Sequence, residues 1–131
     1  MSLGTWTPAE TAPQPPSNDT LKQAATLGQN ADHFPAQTPN GLGELQSWMK
    51  QPHSQWQPVL EPLETDTLIN LVRFFTLAEQ RWAGWEAGDK NPAIWICKVL
   101  KPRGAFPDAE LTRWIKDNTD NRFLPYGNPL A

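Results

Sequence analysis

The sequence is poor in the residues that usually carry chemistry: among its 131 positions are one cysteine, one tyrosine and two histidines. A lone thiol, Cys97, allows no disulfide within the chain and no zinc site built from paired cysteines. His33 and His53 stand in no HxxxH or ExxH spacing, and the acids form no calcium-loop pattern, so neither a metal nor any other cofactor is expected. A glycine-rich phosphate cradle is missing too, since Gly84 and Gly88 flank Trp85, Glu86 and Ala87 and no GK[ST] follows. Long apolar runs are also scarce. The longest, Leu68 to Ala78, is broken by Asn70, Arg73 and Thr76, well short of the ~18–20 apolar residues that span a bilayer. The first residues lack a basic region followed by a continuous apolar one, so they do not read as a secretory leader. No membrane association is expected, and a cytoplasmic setting is the default.

Apolar residues make up 38 % of the chain, below the usual ~45–50 %, and the deficit is concentrated at one end. Residues 1–40 hold prolines 8, 13, 15, 16, 35 and 39 and few large apolar side chains, namely Leu3, Trp6, Leu21, Leu27 and Phe34 after Met1. Such a stretch buries too little apolar surface to offset the entropy of ordering it. Residues 1–40 are therefore expected to be a proline-rich arm, largely disordered, with a short helix over 19–28 capped by Asn18 or Asp19 and stopped by Gly28. Removing residues 1–39 should then leave the stability of the rest nearly unchanged.

From residue 41 the pattern changes to helical spacing. Leu42, Leu45, Trp48 and Met49 form one stripe that Pro52 ends. Residues 52–63 carry Pro52, Pro58 and Pro62 and read as a rigid loop. Residues 66–82, capped by Thr65 or Asp66, are apolar on most of their circumference, which predicts a central helix surrounded by others. Asn91 followed by Pro92 is a strong start signal for a helix over 92–101, because asparagine caps and proline at the first position loses no hydrogen bond. Pro107, with Asp108 and Glu110 favoured by the helix dipole, opens a last helix to Asn118. Beyond it, Phe123, Leu124, Tyr126 and Leu130 are interrupted by Pro125 and Pro129 and read as an extended apolar strap. The expected fold is all-α: a small orthogonal bundle of about four main helices over residues 41–131, with a flexible N-terminal arm and a C-terminal strap.

Function is ranked by class. No nucleophile–base pair is visible: Cys97 lies among Ile94, Ile96, Val99 and Leu100, and neither histidine sits on an element that would present it to the thiol. Catalysis, or carriage of a small ligand, is the weakest reading. Seven tryptophans are far more than a small core needs. Trp56 in a loop and Trp85 in a turn are expected to be partly exposed, and with Tyr126 they form a candidate surface for another protein. The expectation is therefore a non-catalytic protein–protein interaction or adaptor module. The alternative is a nucleic-acid-associated regulator. Residues 90–122 carry seven bases against four acids, while residues 41–89 carry three against seven. Lys98, Lys101, Arg103, Arg113 and Lys116 lie along a helix–turn–helix-like segment, 92–118, that could meet a polyanion. The sequence names neither the partner nor the oligomeric state.

Overall fold

A computed structural model of the chain describes residues 16–39, 41–104, 109–119 and 121. Its architecture is all-helical. Six α-helices occur among the described residues: α1 (Asn18–Gln29), α2 (Gly43–Trp48), α3 (His53–Leu60), α4 (Thr65–Arg81), α5 (Pro92–Leu100) and α6 (Ala109–Asn118). Short 3-10 turns at Ala31–His33, Gly88–Lys90 and Lys101–Arg103 join some of them. Helix α4 is the axis of the molecule, with α1, α5 and α6 packed on it and α3 packed on α5. Its buried residues, Leu68, Leu71, Val72 and the run Phe74 to Ala78, cover the faces that these neighbours need.

The ends of the helices follow local chemistry, though not always at the expected residue. The Asn91 side chain accepts a hydrogen bond from the Ala93 amide at 2.8 Å, and Pro92 opens α5. Helix α1 is capped by Ser17, whose hydroxyl accepts from the Thr20 amide at 3.1 Å, rather than by Asn18 or Asp19, which are already helical. Glu64 precedes α4 without a side-chain cap, and the Thr65 hydroxyl instead accepts from Arg103. Gly104, at a φ of +72°, turns the chain after α5 in a conformation that costs glycine little.

Two segments depart from the sequence reading. The proline-rich stretch 52–63 is helical over His53–Leu60, not a loop. Pro52 stands just before the first turn, where a missing N–H costs nothing, and Pro58 removes one internal hydrogen bond. The loss is offset because this helix buries Trp56 and Leu60 completely. The Trp56 ring packs edge-on against Trp48 at 5.2 Å and Phe75 at 5.6 Å, and its indole N–H donates to the Trp48 carbonyl at 3.0 Å.

The second departure is the arm. Helix α1 buries Leu21, Ala24, Ala25 and Gly28 against α4, so Gly28 lies inside the helix at its closest approach to α4 and does not terminate it. After α1, Phe34 stacks on Trp82 at 4.8 Å. The indole N–H groups of Trp82 and Trp85 donate to the Pro35 carbonyl and the Thr38 hydroxyl. The core thus draws on residues from Leu21 onward, and removing residues 1–39 would take away one of its walls. The expected disorder of the first residues, Pro107 as the opening of α6 and the apolar strap fall wholly or mainly outside the described residues.

Candidate functional site

Cys97 can be dismissed as a nucleophile on its surroundings. Its side chain is buried on the inner face of α5, and burial pushes the thiol up to about 12, so the thiolate is not populated near neutral pH. Among the described residues, no three histidines, cysteines or acids come together as a metal-binding group, and no helix is long and apolar enough to cross a membrane.

Glu79 is the best-connected carboxylate, on the last turns of α4. One oxygen accepts from the amides of Ala87 and Gly88 at 2.7 and 2.8 Å. The other accepts from the side-chain amides of Asn91 and Asn121 at 2.8 and 2.7 Å. Asn121 also donates to the Gly88 carbonyl at 2.9 Å. Four donors in this geometry occupy the lone pairs that a reacting group would need. Glu79 therefore acts as a clamp joining α4, the 87–91 turn and the chain after α6. Nothing in the one-dimensional pattern marks it, since its partners come from two segments, 87–91 and the chain after α6, that are separate from its own helix.

The two tryptophans singled out as surface candidates are both interior. Trp56 and Trp85 are 0 % exposed; they plug the core beside Phe74 and Phe75, and the expectation of a docking surface built on them is corrected. Both serve as core because each fills the volume of several aliphatic carbons and finds an acceptor for its N–H, the Trp48 carbonyl for Trp56 and the Thr38 hydroxyl for Trp85. Tyr126 lies outside the described residues.

The basic set is divided. Lys98, Lys101, Arg113 and Lys116 are exposed. Arg103 turns its guanidinium back onto the fold, donating to the carbonyls of Glu61 at 2.8 Å and Leu63 at 2.9 Å and to the Thr65 hydroxyl at 3.2 Å. It ties the end of α3 to the start of α4, a role that the linear pattern of bases does not reveal. Helix α6 finds its main helical neighbour in α4, so the pair 92–118 lacks the tight α5–α6 packing of a helix-turn-helix unit.

A different surface emerges on α5. Its inner positions, Ala93, Ile96, Cys97, Val99 and Leu100, are buried. Its outer stripe carries Ile94 and Lys98, continued by Lys101 just past the helix end, at the i, i+4, i+7 spacing of one face. Trp95 flanks this stripe on the side of α3, where its ring stacks on His53 at 5.2 Å with the planes 20° apart. Ile94, Trp95 and His53 are all partly exposed. The Trp95 indole N–H is buried and finds no acceptor among the described residues. Trp48 has the same deficiency and is 1 % exposed as a whole, whereas Trp95 is partly exposed apart from its buried nitrogen. The sequence signal for this face is Trp95 placed three residues before Lys98, inconspicuous because Lys98 stands alone in an otherwise apolar run from Ile94 to Leu100.

Two shallow clefts lie elsewhere. One of about 360 Å³ is bounded by Gln46, Ser47, Lys50, Gly84 and Glu86, and one of about 290 Å³ by Arg81, Lys116, Asp117 and Thr119. Both are open, and Thr119, the buried polar side chain at the second, is already bonded to the Gln80 side chain and the Asn121 amide. The chain matches no family model, no curated protein and no solved structure.

Proposed function

We propose that this chain is a small protein–protein interaction module without catalytic activity, and that it engages its partner through the outer face of α5 where it meets α3. The reading rests on Trp95: a large, partly exposed aromatic residue, stacked on His53, whose buried N–H finds no acceptor among the described residues. Buried N–H groups normally find acceptors, and tryptophan supplies large contact area at low entropic cost, which is why it anchors interfaces. Ile94 extends the apolar area, and the lysines of the same stripe border it. A reducing, cytoplasmic compartment suits a chain whose one thiol is buried.

Affinity capture from the source cells tests this reading, with the unaltered chain and Trp95→Ala compared at equal thermal midpoint. A protein retained by the first and lost by the second is expected. If every captured protein is retained equally by both, this face is not the contact surface.

A further inference from the structure

We infer that the indole pair Trp82–Trp85 forms a docking site for a proline-containing segment of a partner protein, occupied in this structure by the chain's own residues 34–39. The site shares no residue with the α5 face and goes beyond the reading above. Trp82 and Trp85 follow α4, their rings edge-on at 5.1 Å and both set against Phe74. Each donates its N–H to the same connecting segment, Trp82 to the Pro35 carbonyl at 3.0 Å and Trp85 to the Thr38 hydroxyl at 3.1 Å. The Phe34 ring stacks on Trp82 at 4.8 Å, with the Arg81 guanidinium over its other contacts at 5.8 Å. Indole nitrogen is a donor only, so this lining offers aromatic surface and two N–H groups. A proline-containing segment is its complement: proline has a carbonyl and no N–H, and it holds the residue before it extended. Phe34, which precedes Pro35, is extended at φ −62° and ψ 131°.

The internal segment is held by few contacts. It lies between α1 and α2, has no regular structure from Phe34 to Pro39, and bends at the exposed Ala36 and Gln37. Among the described residues, the two indoles are the only groups of other elements that hydrogen-bond to residues 35–38. A segment without backbone pairing opens at lower cost than a helix, and Leu21, Ala24 and Ala25 keep α1 on α4 while it does so. Its advantage over an incoming ligand is its effective concentration, on the order of millimolar for a short linker. A partner segment that fits the indole pair better therefore replaces it. Residues 34–39 act as a placeholder, leaving Trp82 3 % and Trp85 0 % exposed until that partner binds.

The test uses the full-length protein and a synthetic peptide with the sequence of residues 33–39, blocked at both ends, beside a control peptide with alanine at both proline positions. Binding is followed by the indole N–H resonances of Trp82 and Trp85, assigned through their contacts with Phe34 and Thr38. The unaltered protein is expected to bind the peptide with a roughly millimolar Kd, because the internal segment competes. Thr38→Val keeps the side-chain shape but removes the acceptor, and should tighten peptide binding several-fold. Phe34→Ala removes the stacked ring and should tighten it about tenfold or more. Both indole resonances should move while that of Trp95 stays, and the control peptide should bind several-fold more weakly. No movement of the two resonances in a variant that melts cooperatively, no tightening in either variant, or equal binding of the control would overturn the inference. A dimer formed by Thr38→Val without peptide, seen by sedimentation, would give the site to residues 34–39 of a second copy and overturn the assignment to a partner protein.

Discussion

At Gly28 the backbone of α1 comes so close to α4 that an added Cβ would collide with the Asn70 carbonyl oxygen and sit 2.8 Å from the Phe74 amide nitrogen. Both are backbone atoms that cannot swing aside. Gly28→Ala is therefore expected to destabilise by about 1–3 kcal/mol, overpacking outweighing the gain in helix propensity. Gly43→Ala, at the start of α2 with nothing within 4 Å of the new methyl group, should be neutral or slightly stabilising; paired thermal melts separate the two. At Glu79, an amide cannot replace the carboxylate, because all four groups facing it are donors. Glu79→Gln turns an NH₂ toward one pair and should cost about 2 kcal/mol, with faster amide exchange at Ala87 and Gly88. Equal exchange in the two proteins would show that the clamp does not hold the turn. Cys97 gives a dependence on pH whose sign is set by burial. Its thiol is raised from an ordinary 9.0 to about 12 in the folded chain, so the folded state retains a proton that the unfolded state releases. The resulting stability is complete below pH 9 and is lost as pH rises from there toward 12. Denaturant titrations of the unaltered chain and Cys97→Ala should diverge in that window, and a thiol reagent should label Cys97 only on unfolding.

Helix α1 and helix α3 are the elements in which composition and fold disagree. The sequence places α1 as a short helix in an arm too poor in apolar side chains to order and α3 in a proline-stiffened loop, yet both are held by what they pack on. Helix α1 buries Leu21, Ala24 and Ala25 on α4, and the segment after it accepts the N–H groups of Trp82 and Trp85. Deleting residues 1–39 is accordingly expected to lower the thermal midpoint by ~10 °C or more. Deleting only residues 1–15, whose large apolar residues after Met1 are Leu3 and Trp6, should change it little. If the two truncations melt alike, α1 contributes nothing to the core. Helix α3 shows the same logic on a smaller scale: one hydrogen bond lost at Pro58 is outweighed by the full burial of Trp56 and Leu60.

Over the whole molecule the net charge is −3, and of the five bases once aligned along 92–118, Arg103 is committed to the carbonyls of Glu61 and Leu63. Mixed duplex and single-stranded probes at near-physiological salt should therefore show no binding below roughly micromolar protein. Salt-sensitive submicromolar binding, abolished by Lys98→Glu with Lys101→Glu, would make the polyanion reading the better one. The helical class, the central place of α4, the cap at Asn91 and the stripe of Leu42, Leu45, Trp48 and Met49 could all be read directly from the chain. Each depends on residues within a turn or two of one another, where periodicity and capping operate. Only the tertiary structure decided that Trp56 and Trp85 are core, that α1 is a wall of that core, that Glu79 gathers four donors and that Trp95 is partly exposed while its buried N–H stays unpaired among the described residues. Burial and hydrogen bonding of that kind arise where segments distant in the chain meet, as Trp85 meets Thr38, and no local pattern encodes which segments will do so.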